Sequence, residues 1–242
     1  MGMIEIRNLQ TSFNGVPVLR DLNLTVEQGR TLAILGTSGT GKSVLLKSII
    51  GLIAPDAGSI CIGGEEVIGM NPEDLYKLRR RMGYLFQGAA LYDSMSVRGN
   101  LEFPLRRTTP LDEDEISARV TEQLGLVGLE DAIDKMPSQL SGGMRKRIGL
   151  ARALITRPEI MLYDEPTTGL DPLTGREIGY LIQHLEERYK MTSIAVTHDI
   201  ALVRSITERV AILNKGAICF DGSLDAMDHS KDEFVKRFIA AV

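Results

Sequence analysis

Apolar residues change their spacing along this chain, and each change marks an element. Ile4 to Leu9 alternates apolar with polar, and Val18 to Val26 does so again, with Leu22, Leu24 and Val26 set against Asp21, Asn23 and Thr25. That period of two predicts two half-buried strands. Leu32-Ala33-Ile34-Leu35 is apolar throughout, the mark of a strand covered on both faces, and a helical pattern follows over Ser43 to Leu52. Gly58 to Ile62 reads as a further strand, and Pro72 to Arg81 as a surface helix begun after Asn71. From about Ser96 to Ile155 the spacing is helical, punctuated at Thr108-Thr109-Pro110 and Met136-Pro137-Ser138. Strand-like and helical patterns then alternate again: Ile160 to Tyr163, a helix over Pro172 to Tyr189, Ser193 to Thr197, and a helix from about Ile200. Val210 to Leu213 and Ala217 to Phe220 read as a hairpin around Asn214-Lys215-Gly216. Strands alternating with helices predict an α/β fold with a mainly parallel sheet, and the helical middle third reads as an inserted subdomain. The tail carries Phe234, Val235, Phe238 and Ile239 at helical spacing, suited equally to this chain's core or to a second copy's.

Composition narrows the function classes. The 242 residues are 43% apolar and 25% charged, which excludes a disordered tail, a collagen-like chain or a disulfide scaffold. Twenty-eight basic against 32 acidic residues leave a net charge of −4, so no overall basic field draws the chain to nucleic acid. Arg79-Arg80-Arg81 reads as a solvated helix face, and Arg145-Lys146-Arg147 as a cap on the helical stretch beginning there. Cys61 and Cys219 lack CxxC spacing and read as buried or half-buried small hydrophobes in a reducing compartment. The N-terminus shows no secretory signal, and no apolar run approaches the ~20 residues that span a bilayer. Any membrane contact is therefore expected through a partner.

The densest chemical signal is Gly36-Thr37-Ser38-Gly39-Thr40-Gly41-Lys42-Ser43, a full G-x-x-x-x-G-K-[ST] between a buried strand and a helix. Such a loop wraps phosphate with its backbone N–H groups at dihedrals a Cβ would forbid, and the helix start behind it adds positive potential. Lys42 has the length to reach the β- and γ-phosphates, and Ser43 offers a hydroxyl to Mg²⁺. Asp164-Glu165, at the end of the Ile160 to Tyr163 strand, supplies a carboxylate for the metal shell and another to orient or deprotonate an attacking water. Leu140-Ser141-Gly142-Gly143-Met144 precedes the stretch Arg145 to Ile155, with Ser141 a natural N-cap and two glycines leaving bare amides. Alone, Ser-Gly-Gly is more often a cap without a ligand; beside a P-loop it suggests a second phosphate cradle, serving another copy's nucleotide.

In that combination and order, the chain resembles the ATPase subunits of ATP-binding cassette (ABC) transporters over practically its whole length. The resemblance implies a P-loop NTPase with a RecA-like core, N-terminal antiparallel strands and an inserted helical subdomain. As one domain over 1–242, it would have its α/β core at 1–87 and 160–228, the helical subdomain at 88–159 and a tail at 229–242. Gln87, in Tyr84-Leu85-Phe86-Gln87, matches the Q-loop, Thr168-Gly169-Leu170-Asp171 the D-loop, and His198, in Val196-Thr197-His198-Asp199, the H-loop. Phe13 stands where the family sets an aromatic against adenine, and Val44 closes the P-loop's nucleotide-binding stretch. The implied mechanism sandwiches two ATP molecules between two copies, each held by Gly36 to Val44 of one and Ser141 to Met144 of the other. Glu165 activates water, His198 contacts the γ-phosphate, and Gln87 links metal and water to an integral-membrane permease. Met144 stands where Gln is usual, Thr37 where Pro is common, and Tyr163 puts a hydroxyl in an otherwise apolar strand.

Three stretches resemble one branch more closely: 41–47, 90–97 with 100–105, and Leu-Ser-Gly-Gly-Met-Arg-Lys-Arg at 140–147 are similar to Mla-type phospholipid-transport ATPases, where Met in the signature is usual. That likeness implies an MCE-domain lipid-binding partner, a possible small regulatory subunit on the tail, and a place on the cytoplasmic face of the inner membrane through the permease. Leu91, Tyr92 and Met95 would be permease contacts or ordinary packing. Another ABC importer or exporter, or an ABC ATPase not tied to a membrane, are the competing expectations.

Overall fold

In the computed structural model, which describes residues 2–241, the chain order is β1 (Gly2–Phe13), β2 (Val16–Glu27), β3 (Thr31–Leu35), α1 (Lys42–Ile49), β4 (Ala57–Ile62), β5 (Glu65–Glu66), α2 (Pro72–Arg80) and β6 (Met82–Leu85). Three helices follow, α3 (Val97–Thr108), α4 (Glu113–Val127) and α5 (Gly142–Leu154), then β7 (Ile160–Asp164), α6 (Pro172–Tyr189), β8 (Thr192–Thr197) and α7 (Ile200–Ile206). The chain closes with β9 (Arg209–Asn214), β10 (Ala217–Ser223), α8 (Leu224–Asp228) and α9 (Glu233–Ala241). One sheet, ordered β2-β1-β4-β5, is antiparallel; the other, β10-β9-β3-β8-β7-β6, is parallel apart from its β10 edge.

α1 lies between the sheets. Its Leu45, Leu46 and Ile49 join Ile4, Ile6 and Leu9 of β1, Leu22 and Leu24 of β2, and Leu32 and Ile34 of β3 in one core. Each such side chain contributes roughly 1.5–3 kcal/mol when removed from water. The opposite face of the parallel sheet is covered by α5, α6 and α7. A separate core ties α3, α4 and α5 together through Leu101, Leu105, Val120, Leu124 and Ile148.

Local chemistry sets the helix limits. Asn71, Ser96, Asp112, Ser141 and Asp171 each cap a helix with a side-chain oxygen, and Asp112 forms a reciprocal capping box with Glu115. The helical third is therefore three helices, broken at 109–112 and again, with two short 3₁₀ turns, between α4 and α5. α1 stops at Ile49 rather than Leu52, because the chain turns through Gly51 and leaves Leu52 exposed. The parallel sheet also has a strand the sequence pattern did not announce: β6 is four residues long and pairs with β7 only.

Two further expectations are corrected, and one open alternative is decided. Cys219 is exposed rather than buried. Arg79 is half-buried and donates to the carbonyls of Ile50 and Gly51, while Arg81 pairs with Glu159 and Glu65, so these two brace α2 and only Arg80 of the triplet is exposed. The tail helix α9 packs on this chain's own core, with Val235 and Phe238 buried against Leu35, Ile212 and Met227.

Candidate nucleotide site

Four adjacent parallel strands end on one edge of the sheet, and a motif follows each of them. Beyond β3 comes the P-loop, beyond β8 His198, beyond β7 Glu165 and beyond β6 Gln87. Open α/β sheets bind ligands at this edge, outside the carboxyl ends of the strands.

The P-loop geometry depends on absent side chains. A Cβ on Gly36 would lie 2.8 Å from both the Leu213 carbonyl and Thr40 Oγ1, and Gly41 caps α1 at φ 103° against Leu19. Thr37, Ser38 and Gly39 are exposed, and Thr40 Oγ1 donates to the Thr37 carbonyl at 2.8 Å. Lys42 is buried and folds back along the loop, donating to the carbonyls of Gly36 at 2.6 Å and Thr37 at 3.1 Å. Its ammonium also stands 3.1 Å from Glu165 Oε1. Val44 is half-buried against the core between the sheets.

Ser43 and Asp164 meet although 121 residues separate them: Ser43 Oγ donates to Asp164 Oδ1 at 2.8 Å. Tyr84 Oη donates to the other carboxylate oxygen at 3.1 Å, and burial with that carboxylate beside it pushes the phenol well above its ordinary pKa. Glu165 is buried at φ 49°, a conformation rare for a side chain of its size. Its Oε2 accepts from Thr168 Oγ1 at 3.0 Å and lies 2.8 Å from His198 Nδ1. The structure thus brings Lys42, Glu165 and His198 together in one bonded group, with the Ser43–Asp164 pair beside it because Asp164 and Glu165 are neighbours in the chain.

Other candidates stay apart from it. Gln87 is exposed, and no hydrogen bond among the described residues joins its amide to Ser43 or Asp164. Phe13 is exposed at the end of β1, in the antiparallel sheet. Ser141 caps α5 by accepting from the Met144 amide at 3.2 Å; Gly142 and Gly143 lie against Leu170 and Thr174, and Met144 is half-buried on the helical core. No hydrogen bond among the described residues joins Ser141–Met144 to the P-loop.

Two groups near the site escaped the sequence reading. Lys146 is buried rather than a cap: its ammonium donates to the Glu165 carbonyl at 2.9 Å and to the Gln87 carbonyl, and burial pushes its pKa down to about 8. A lysine four residues before Leu150 on the apolar face of a helix was the available signal. Glu186 of α6 lies beneath β7, accepting from Tyr163 Oη, from Ser193 Oγ at 2.6 Å and from Thr31 Oγ1 at 3.1 Å. Tyr163 and Glu186 are too far apart in sequence for any motif to couple them.

The ABC transporter family model matches residues 19–168, more than half of the chain. The chain belongs to the ABC transporter family. That family's ATP-binding domains are ATPases whose hydrolysis is coupled to transport. The probable ribonucleotide transport ATP-binding protein mkl of Mycobacterium tuberculosis is 41% identical over 236 residues, which is 98% of this chain and 66% of that protein. The methionine import ATP-binding protein MetN 2 of Bacillus cereus is 38% identical over 99% of this chain and 72% of its own length. This cassette thus spans slightly less than two thirds of the mycobacterial relative. Among solved structures, the ATP-binding cassette MJ0796, a dimer in a post-hydrolysis state bound to ADP and Pi, matches with a TM-score of 0.85 and 32% identity, over 92% of this chain and 99% of that one.

Proposed function

We propose that the chain hydrolyses ATP as the energising subunit of a membrane transporter, working as a pair of identical cassettes. One observation carries this reading: Lys42, Ser43, Asp164, Glu165 and His198 converge where a P-loop would hold a triphosphate. Lys42, now on two carbonyls and Glu165, exchanges them for β- and γ-phosphate oxygens. Glu165 accepts a proton from water as the water oxygen bonds to the γ-phosphorus, and ADP leaves with the electrons of the broken P–O bond. His198, set by Glu165, faces the γ-phosphate. Phe13 supplies the adenine contact, and the 36–44 loop the phosphate cradle.

One carboxylate and one hydroxyl, Asp164 and Ser43, suit Mg²⁺, which is usually held by one or two carboxylates, waters and substrate phosphates rather than by an all-protein cage. There it would neutralise charge building on the phosphate oxygens. Gln87, on the segment after β6, would add its amide oxygen to this set.

Ser141–Met144 lies apart from the chain's own P-loop, and the similar cassette is a dimer. Both support a second copy whose signature loop closes over the first copy's nucleotide. We take the helical subdomain as 88–159 and read the groove beside it as the permease seat. The groove is about 660 Å³ in volume, with Tyr76, Tyr84, Phe86, Tyr92 and Phe103 among its walls and Arg79, Arg80, Arg107 and Arg152 around them. Tyr92 is exposed there, whereas Leu91 packs on the helical core. No helix among the described residues is long and apolar enough to cross a membrane, so the permease would hold the chain to the cytoplasmic face.

The transported molecule is proposed to be phospholipid, moved with an MCE-domain partner; the support is the likeness at 41–47, at 90–97 with 100–105, and at 140–147. The curated relatives carry other substrates in their names, ribonucleotide and methionine. Affinity purification from native membranes in mild detergent, with mass spectrometry of proteins and lipids, separates these. A permease with an MCE-domain protein and phospholipid supports the lipid reading; a different permease keeps the ATPase and discards the lipid. No membrane protein at all points to a cassette working away from membranes.

A further inference from the structure

Three residues on one face of α5, Lys146, Gly149 and Arg152, run along the segment that follows Gln87. Lys146 donates to the Gln87 carbonyl. Gly149 is where Ala89 presses in: a Cβ at position 149 would sit 2.8 Å from that of Ala89. The Arg152 guanidinium donates to the carbonyls of Ala89 and Ala90, each at 2.9 Å. Spaced three apart, these residues stack on consecutive turns of the helix.

The held segment is strained. Ala89 and Ala90 stand in sequence at φ 61° and 49°, left-handed backbone that alanine rarely adopts. Two successive carbonyls are thereby turned the same way, and the planar guanidinium fork can take both. Beyond them, Arg152 lies 5.5 Å from the centre of the Tyr92 ring, which meets Phe103 edge to face at 5.2 Å. Asn100, fully buried, binds the same stretch by accepting from the Tyr92 amide at 2.8 Å and donating to the Tyr92 and Met95 carbonyls. At the other end Lys146 also holds the carbonyl of Glu165, itself at positive φ.

We infer that Arg152 and Lys146 are positioning residues that clamp 87–90 in this strained form, and so set where Gln87 and the Tyr92–Phe103 wall of the groove stand relative to Asp164 and Glu165. The inference rests on the ATPase reading for its effect on turnover, but not for the clamp itself. Neither residue touches the P-loop by hydrogen bond, so the clamp acts on the catalytic step and leaves ground-state nucleotide affinity alone.

The test uses the full chain, comparing wild type with Arg152→Lys, Lys146→Gln and the double variant Arg152→Lys, Ala90→Gly. An ammonium cannot reproduce the two-pronged guanidinium contact. Arg152→Lys and Lys146→Gln should each lower kcat about tenfold with KM for ATP changed less than about twofold, the size of one lost charge-assisted hydrogen bond. Backbone amide exchange over 86–92 should quicken about tenfold, with no change in α1 or β7. Glycine at position 90 takes left-handed φ without strain, and Ala90 is exposed, so its addition should restore most of the lost turnover. Unchanged kcat and exchange in both single variants, or exchange quickened evenly throughout the chain, would overturn the clamp. Absence of ATP hydrolysis by wild type, with the local exchange result intact, would count against the ATPase reading alone.

Discussion

The ammonium of Lys42 and the carboxylate of Glu165 form a buried ion pair, Nζ to Oε1 at 3.1 Å, between the P-loop and the residue that follows β7, 123 positions later. The group expected to bind phosphate and the group expected to activate water thus hold each other. In the proposed mechanism nucleotide binding would draw Lys42 onto the phosphates and leave Glu165 free to accept from the attacking water.

Glu165→Gln should therefore abolish turnover while keeping ATP bound. An amide cannot accept the proton of water, and loss of a general base lowers kcat by roughly 10²–10⁴-fold. Phosphate release checks the rate, and size-exclusion chromatography with MgATP checks for an ATP-trapped dimer. Hydrolysis near the wild-type rate would remove Glu165 from its role.

Lys42→Ala should weaken ATP binding by about tenfold or more, since a hydrogen bond to a charged group contributes roughly 1.5–3 kcal/mol. Isothermal titration calorimetry reads this directly. Glu165 keeps Thr168 and His198 as partners in the variant, so loss of affinity would not simply reflect unfolding.

Ser141→Ala removes the cap of α5 and should cost about 1 kcal/mol, a fall of roughly 2–4 °C in Tm for a chain of this size. Its effect on ATP-driven dimerisation should be larger than that stability loss accounts for, if Ser141 also meets the second copy's nucleotide. Equal losses in both measurements would leave the hydroxyl as a cap alone.

Glu186 carries a pH prediction. Burial raises its pKa, outweighing three hydroxyl donors that favour the ionised form. The folded chain keeps this proton where the unfolded chain, near the ordinary value of about 4.3, has released it. Stability therefore falls as pH rises from that value through the raised one. Glu186→Gln removes the titration, so its Tm should improve relative to wild type as pH is raised. Scanning calorimetry from about pH 5 to about pH 8 tests the sign through this linkage, and a pH-independent difference would place the proton elsewhere.

Short-range patterns explain what could be read early. Pro172 to Tyr189 matches α6 residue for residue, because Asp171 and Pro172 mark its start and apolar spacing runs unbroken to its end. Leu32 to Leu35 is buried on every side, as its uniform apolarity requires. β6 was silent because Met82-Gly83-Tyr84-Leu85 has neither length nor alternation. Gly83 is there for β7 and α5, since a Cβ would meet the Ala153 carbonyl at 2.5 Å and the Met161 sulfur at 2.7 Å.

The chain by itself determined the P-loop, the strand-end carboxylates, the capped helices and the family, because each depends on residues a few positions apart that must follow one another whatever surrounds them. Tertiary structure decided the rest. It put Ser43 on Asp164 and Lys42 on Glu165, buried Lys146 between two carbonyls, set Glu186 under Tyr163 and bent Ala89 and Ala90 against α5. Those relationships follow from sheet order and helix register, where a partner's distance in space bears no relation to its distance along the chain. Burial then raises the energetic weight of each such contact, since a charge or polar group removed from water must find its partner inside the fold.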